Sequence, residues 1–571
     1  KKLVNILGLN LGHDSSSTLI KNGEVIAACE EERYTKIKHT RTFPLNSIND
    51  CLKIGNIKIR DIDIISVGFL PKKYVKEFYF NQVLEDSNKI DLIKDGFDRI
   101  KENLNLESTI RTKLNYKKKI EFNSHHLSHL ASAFYPSGFN NSLILSLDGI
   151  GEFETGLIGI GKKNKIKIIF GENKFPNSLG LIYAAITYYL GWKSFYDEGI
   201  VMGLAPLGNY NKKIPKNNKT YIDVFRKIIK KGSGLNYEID KSWITYHYQR
   251  DTWLSDKFFK LFGKKRASES KITDHYKNIA AALQQRIEEI VISQLLLLKK
   301  KYKIENLCIA GGVGLNCSLN GAIHDKKIFK KIFIKPASGD AGISYGSALV
   351  SYFKKNDSNK FKNKNFYLGS RFSNNQIKKE LEKHKKKLKF KFHKDITKIS
   401  ADIVANKKIL GWFQGAAEFG PRALGNRSII CQPFPVEMKD HLNKNVKFRE
   451  SFRPFAPAVL DFKAKDFFNM NQDSEHMLIA VKVKKNKKNL IPAVVHADNS
   501  SRAQTVSKKS NIKFYNLINN FYKISKIPIV VNTSFNIKGQ PIVNDPNDAI
   551  LCFMKYNIDY LAIGDYIVEK K

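Results

Sequence analysis

No stretch of roughly 18 consecutive apolar residues occurs in the 571-residue chain, which excludes an ordinary membrane-spanning helix. Thiols are scarce too. The six cysteines, at 29, 51, 308, 317, 431 and 552, contain no C-x-x-C pair, and six in so long a chain make no disulfide framework. A reduced, cytoplasmic setting is expected, and any metal would have to take histidine and carboxylate instead of thiolate. The first residues, K-K-L-V-N-I-L-G-L-N-L-G-H-D, turn polar too early for a secretory signal and read as a buried first strand.

Arginine is the third scarcity. There are 15 arginines against 82 lysines, and the net charge is +43. The lysines are spread along the whole chain among many Asn and Ile, the mark of AT-rich coding, whereas a binding face gathers its charge on one element. Nucleic acid is therefore disfavoured as a dedicated partner, although the charge still draws anionic ligands. Five of the arginines (Arg422, Arg427, Arg449, Arg453 and Arg502) fall between 422 and 502. Arginine offers a planar fork that fits phosphate or carboxylate, so this cluster points to an oxyanion site.

What is present supports large soluble cores: 42% of the residues are hydrophobic. At roughly 100–200 residues per domain, the length predicts two or three domains. The polar stretch K-K-N-D-S-N-K-F-K-N-K-N places a linker at 354–365, between a first domain at 1–353 and a second at 366–571. A faint repeat lies in the first. Residues 6–29 and 143–169 each read as an apolar strand, a Gly-rich polar turn and two further strands. In such turns glycine lets backbone N–H groups approach a phosphate and serine adds a hydroxyl, which singles out Gly12 and Ser15 in the first and Gly149 and Gly151 in the second. Two such hairpins fit two related lobes facing a nucleotide cleft, the plan of actin-like ATPases. A third turn, L-C-I-A-G-G-V-G-L-N-C-S-L-N, runs a strand into Gly311 and Gly312, and Asn316 and Asn320 then open a helix. It is either an anion site at a helix N-terminus or an ordinary tight turn.

His125 and His129, in S-H-H-L-S-H-L-A-S-A-F, are four apart, so on a helix their imidazoles share one face. His126 faces elsewhere and is expected to support the pair. Such a pair is either a packed helix face or a metal site. Two carboxylates favour the metal: Asp148 ends the strand L-I-L-S-L-D-G, and Asp340 sits in the strand-end loop of I-F-I-K-P-A-S-G-D-A-G. Strand ends in α/β folds converge on one cleft, and two His with two Asp suit Fe, Zn or Mn.

The chain as a whole resembles the O-carbamoyltransferases, the family that includes nodulation protein U, cephalosporin hydroxymethyl carbamoyltransferase and tobramycin carbamoyltransferase. The resemblance rests on G-H-D-S-S-S (12–17), E-E-E-R-Y-T-K-I-K-H (30–39), H-H-L-S-H-L-A-S-A-F-Y-P-S (125–137), V-M-G-L-A-P-L-G (201–208), E-F-G-P-R-A-L-G-N-R-S-I (418–429), F-R-E-S-F-R-P-F-A-P (448–457) and V-N-T-S-F-N-I-K-G-Q-P-I-V (531–543), in that order. It implies an α/β protein with an N-terminal two-lobed actin-like (ASKHA) domain, similar to the tRNA threonylcarbamoyl-transfer domain, and a C-terminal YrdC-like α/β domain. The second domain would form carbamoyl adenylate from carbamoyl phosphate and ATP with Mg2+. The first would hold one metal ion on His125, His129, Asp148 and Asp340 and pass the carbamoyl group to a hydroxyl acceptor, with His13 as general base beside Asp14. The resemblance also implies that Lys38 contacts acceptor or carbamoyl oxygens and that Gly311, Gly312, Asn316 and Asn320 border the adenylate. In the second domain Arg449 and Arg453 would be the main oxyanion clamp, with Lys444, Lys447 and Arg502 beside it and Arg422 either in the clamp or bracing its loop. Asn532, Thr533, Ser534 and Asn536 would meet the nucleotide. Two positions depart from the family pattern: Ile200 and Ala416 stand where Lys and Arg are usual. A homodimer is allowed. Two other readings share part of the pattern: a fused tRNA threonylcarbamoyladenosine-forming enzyme, and a non-catalytic nucleotide-binding scaffold.

Overall fold

The computed structural model describes residues 4–249, 252–356, 361 and 365–571. The chain forms two compact units, one from residues up to Ala27 and from Arg41 to Asn363, the other from Ala28–Thr40 and Lys364–Lys571. The sequence reading runs the first domain unbroken to 353; here the segment Ala28–Thr40 belongs with the second unit. Much of the expected linker at 354–365 lies outside the described residues, and its first two residues, Lys354 and Lys355, still belong to the helix Ala341–Lys355. All six cysteines are free and buried. Among the described residues no helix is long and apolar enough to cross a membrane.

In chain order the strands up to the linker are β1 (Ile6–Asn10), β2 (Ser16–Lys21), β3 (Glu24–Glu30), β4 (Ile64–Val67), β5 (Lys119–Phe122), β6 (Asn141–Leu147), β7 (Gly156–Lys162), β8 (Lys165–Phe170), β9 (Ile229–Lys231), β10 (Tyr237–Ile239), β11 (Asn306–Ala310) and β12 (Lys331–Ile334). They build two five-stranded sheets, ordered β3-β2-β1-β4-β5 and β8-β7-β6-β11-β12, and a β9–β10 ribbon. The two sheets share one topology. β1 pairs antiparallel with β2 and parallel with β4, which is parallel to β5. Likewise β6 pairs antiparallel with β7 and parallel with β11, which is parallel to β12. This is the duplication that the two hairpins imply. β1 and β4 are buried at every residue, without alternation, because helices cover both faces of the sheet. β8, at an edge, carries Lys165 and Lys167 and is nowhere buried, which discourages further strand pairing.

The helices His125–Ser137 and Ala341–Lys355 pack together between the sheets. Glycine allows approaches at backbone distance: a Cβ on Gly8 of β1 would strike the Ser344 carbonyl of one helix, and one on Gly346 the Ser128 carbonyl of the other. Serine hydroxyls fill the gaps. Ser16 Oγ donates to the Ala341 carbonyl at 2.7 Å and Ser66 Oγ to the Ser347 carbonyl at 2.7 Å. Small residues at these positions thus fix where Asp340, at the head of its helix, stands against His125 and His129.

The second unit continues with β13 (Leu388–Phe392), β14 (Leu410–Phe413), β15 (Arg427–Cys431), β16 (Ala456–Leu460), β17 (Val481–Lys482), β18 (Ser500–Ser501), β19 (Gln504–Val506), β20 (Ile529–Ser534), β21 (Tyr560–Ile563) and β22 (Tyr566–Lys570). Its main sheet is mixed, ordered β13-β22-β21-β14-β15-β20-β16-β19, with β17 and β18 as a separate ladder. The helices Ile396–Ala405 and Ile512–Ser525 cover it, and Trp412, Ile430, Phe514, Phe521 and Val530 form the core between.

Candidate functional site

The first unit carries a histidine–carboxylate centre. Ser124 caps the helix His125–Ser137 through the Leu127 N–H, and the four-residue spacing puts His125 and His129 on one face. Both Nε2 atoms lie 2.9 Å from the same oxygen, Asp148 Oδ2. Asp340 Oδ1 stands 3.7 Å from His125 Nε2 and 3.6 Å from His129 Nε2. One ligand atom from each of the four residues lies within 4.8 Å of the others. Three of the four residues are buried, and His129 is 0% exposed. Burial works against charge on His129, but its bonds to Asp148 and Asp340 outweigh this and push the imidazole up to about 9. Burial also works against the Asp148 anion, and the two imidazoles hold it well below the usual carboxylate range. The four ligand atoms converge where a cation would sit. Two imidazoles and two carboxylates aimed at one point fit a divalent first-row metal.

His126 has another duty. Its Nδ1 meets Ser146 Oγ at 2.9 Å and its Nε2 the Glu154 carbonyl at 2.8 Å. Burial, with the neighbouring His125 charge, lowers it to about 3, so it stays neutral. It braces the β6–β7 hairpin. It also packs edge-on against His125, with centroids 5.1 Å apart. The fully buried Glu152 Oε1 accepts the His125 and Leu70 backbone N–H groups, each at 2.9 Å, and so fixes the start of the ligand helix. Its signal, a second acid in D-G-I-G-E, was in the sequence but had no spacing to recommend it.

The glycine turns surround this centre. Gly312 N–H donates to Asp148 Oδ1 at 3.0 Å, and a Cβ on Gly312 would lie 2.9 Å from that oxygen. Gly311 has φ +88, and a Cβ there would strike the Leu147 carbonyl. A Cβ on Gly151 would lie 2.8 Å from His126, and Gly149 is the residue after Asp148. Asn316 caps the helix Cys317–Asp325 and bonds Gln284, and Asn320 donates to the Gly314 carbonyl at 2.9 Å. Both amides therefore brace the turn. In the first hairpin Asn10 Nδ2 holds the His13 and Asp14 carbonyls, Asp14 has φ +56, and Gly12 is exposed. The Ser15 hydroxyl is buried with no hydrogen-bond partner among the described residues. His13 Nδ1 lies 3.1 Å from Asp14 Oδ2. Burial opposes its charge, but Asp14 and then Asp340 raise the imidazole above its ordinary value.

The second unit holds a cation cluster. Lys447 Nζ is buried and donates to the Ser534 carbonyl at 2.8 Å and Asn536 Oδ1 at 2.5 Å. Burial, then the charges of Arg449, Lys38 and Arg453, holds it well below the usual lysine range. Arg449 donates to Asn443 Oδ1 at 2.7 Å and stacks on Phe455. Burial together with Arg453 and Arg502 pushes it down to about 9, against the weaker pull of Glu450. Lys38, in the 28–40 segment, thus acts on the cluster of the second unit. Thr533 lies in β20, and Asn532 is buried, donating to the Ala423 carbonyl and Gln504. Lys444 is exposed, unlike the buried Lys447 three residues on.

Arg427 is fully buried, and its guanidinium serves the Gln414, Gly415, Asn426 and Ser370 carbonyls, so it is a brace. Arg422 is only half-buried. Glu418 was missed by sequence reasoning. Its Oε1 accepts the Leu424, Asn426 and Arg427 N–H groups and pins the 418–427 loop. At the two unusual positions, Ile200 is buried apolar packing, and the Ala416 carbonyl accepts from Asn426 at 2.7 Å.

These two centres fall in the two segments matched by known family models. Residues 5–349 match the carbamoyltransferase N-terminus and residues 401–570 the carbamoyltransferase C-terminus. The chain belongs to the carbamoyltransferase family. It is accordingly a transferase. An uncharacterised protein of Synechocystis is 36% identical over 100% of this chain and 97% of its own length. Nodulation protein NolNO of Sinorhizobium fredii is 35% identical over 98% of this chain and 79% of its own. Among solved structures, component A of the Acidaminococcus fermentans (R)-2-hydroxyglutaryl-CoA dehydratase overlaps 62% of this carbamoyltransferase and 98% of its own chain, at 14% identity and TM-score 0.32.

Proposed function

We propose that the second unit, read as a YrdC-like domain, converts ATP, carbamoyl phosphate and water into carbamoyl adenylate, pyrophosphate and phosphate. The first unit, read as an actin-like domain, then transfers the carbamoyl group to a hydroxyl of a small-molecule or sugar acceptor. The observation that carries this is the coincidence of two different centres with the two carbamoyltransferase segments of the family: a His/Asp centre within 5–349 and a cation cluster within 401–570.

Carbamate is a poor acyl donor, and adenylation gives it a good leaving group. Lys447, Arg449, Arg453 and Arg502 bind and orient the phosphate and triphosphate oxygens, since their mutual repulsion is relieved by an anion. Ser534 and Asn536 hold the Lys447 ammonium in place. His125, His129, Asp148 and Asp340 would hold one Fe, Zn or Mn ion, which when bound supplies Lewis-acid polarisation of a carbonyl or phosphoryl oxygen. His13 takes the acceptor's hydroxyl proton on Nε2 while Asp14 holds Nδ1. The acceptor oxygen bonds the carbamoyl carbon as that carbon's bond to the adenylate oxygen breaks, and the electron pair leaves with AMP. Gly312 N–H and the bond geometry it imposes keep Asp148 in position throughout.

The test is pyrophosphate release from ATP, with and without carbamoyl phosphate and with no acceptor present. Release that depends on carbamoyl phosphate supports adenylation. Release that depends instead on threonine and bicarbonate, or ATP binding with no release, overturns it.

A further inference from the structure

The strands β6, β11 and β12 run parallel, and their last residues lead into Asp148, Gly311 and the loop of Asp340. Their first residues meet at the other end of the sheet, roughly 20 Å away at the rise of a strand. There the fold collects lysine from three distant segments. Residues 162–165 form the β7–β8 turn, 299–303 end the helix Asp274–Tyr302 ahead of β11, and 326–331 lead into β12. Eleven of the fifteen residues in these segments are lysine, and none is Asp, Glu or Arg.

Hydrogen bonds hold the three segments together. Lys163 N–H donates to the Asn140 carbonyl at 2.8 Å, Asn306 Nδ2 to the Asn141 carbonyl at 3.0 Å, and Lys330 N–H to the Glu305 carbonyl at 2.8 Å. In register, Lys162 stands opposite Asn141 and Lys331 opposite Asn306. Lys299 is half-buried and turns back to the Ile304 carbonyl at 3.0 Å and to Glu305 at 2.9 Å. The other bordering acid, Asp325, lies 3.2 Å from His324 Nδ1. The remaining ten lysines are exposed. Just before them the helix exposes two leucines, Leu296 at 52% and Leu297 at 43%. Lys300 is four residues beyond Leu296 and Lys301 four beyond Leu297, so each pair is adjacent on the helix surface. A lone exposed leucine needs no explanation. Two beside a field of long lysine stems make an amphipathic edge of the kind that lies in a lipid headgroup layer.

We propose that this end of the first unit docks on an anionic lipid surface, with the lysines on the headgroups and Leu296 and Leu297 set between the lipids. Clusters of about four to eight basic residues are enough for such recognition. The inference does not depend on the carbamoyl-transfer reading. The His/Asp centre lies at the far end of the strands, so docking by this end leaves it uncovered. The same charge would draw nucleic acid, but the chemistry present disfavours it. The segments carry no Arg to fork onto phosphate or base edges. Their two aromatics, Tyr302 and Phe329, are half-buried and buried, so neither offers an open ring to a base. Beside a duplex the two leucines would stay in water.

The test sediments the full-length protein with vesicles of phosphatidylcholine, alone or mixed with phosphatidylglycerol, beside three variants. The first combines Lys300→Glu, Lys301→Glu and Lys330→Glu. The second makes the same charge change at exposed lysines of the second unit, Lys385→Glu, Lys386→Glu and Lys387→Glu. The third combines Leu296→Ser and Leu297→Ser. Melting curves confirm that each variant folds. The wild type should sediment with the mixed vesicles only. It should be released as salt rises to about 1 M, where screening cuts the reach of charge to about 3 Å. The first variant should bind the mixed vesicles at least about tenfold more weakly and the third at least about threefold, while the second stays within about twofold. No binding of the wild type to mixed vesicles overturns the proposal. So does an equal loss in the first and second variants, which would make net charge the cause, and so does unchanged binding in the third. Duplex DNA or RNA held by the wild type and lost in the first variant, with no vesicle bound, overturns it in favour of a nucleic-acid face.

Discussion

The His/Asp centre of the first unit and the cation cluster of the second are built on opposite electrostatic plans. In the first, two imidazoles share one carboxylate oxygen and a second carboxylate stands close by, so opposite charges meet in a buried space. In the second, Arg453 and Arg502 press on Arg449, and Arg449 presses on Lys447, with Glu450 opposing them only weakly. Burying charge is costly unless a partner is present. The first centre supplies its own opposing charges. The second gathers like charges, with the Arg453–Glu450 pair at 3.6 Å as an opposing contact, and on the proposed reading it takes an anionic substrate.

The largest expected effect separates the two. Arg449→Ala should lower pyrophosphate release by about 10³-fold while elemental analysis finds the metal content of the wild type. Asp148→Asn should do the reverse, emptying the metal centre and lowering transfer to acceptor by about 10³-fold while pyrophosphate release continues. If Asp148→Asn also stops release, the two centres are not separate steps. Glu152→Gln comes next. It leaves all four ligands but weakens the acceptor for the His125 N–H, and should lower metal affinity by about 10–100-fold in competition with a chelator.

A smaller effect is a stability shift. Inorganic pyrophosphate at about 100 times its Kd should stabilise the second unit by about 2.7 kcal/mol and raise its melting temperature by roughly 5–10 °C. Lys447→Met should abolish that shift, whereas a chelator should lower melting in the first unit only. The smallest effect is at Lys444. It is exposed, so Lys444→Ala should change pyrophosphate release by less than about twofold, and a loss comparable with Lys447→Met would redraw the cluster.

The metal-type centre was legible because its residues sit at positions with their own local signatures. A four-residue histidine spacing, a strand-end aspartate and a Gly-rich turn each announce local geometry, and all were found where that geometry places them. The duplicated sheets were legible for the same reason, through two hairpins of the same pattern. Glu152 and Glu418 were not, because a single carboxylate that collects backbone N–H groups has no periodic signature. Nor could spacing distinguish Lys447, buried beside Ser534 and Asn536, from exposed Lys444 three residues earlier.

By itself the sequence determined the composition limits, the strand–turn–strand units, the helix face shared by His125 and His129, and the concentration of arginine between 422 and 502. Those are properties of neighbours along the chain, where backbone period and turn chemistry act. Only the tertiary structure decided that 28–40 joins the second unit, that Arg427 serves carbonyls while Arg449 stands among cations, and that lysines of three distant segments share one end of a sheet. Each of these depends on which distant groups are brought within hydrogen-bond or Coulomb range, and burial then sets whether a charge is a brace or a binding site.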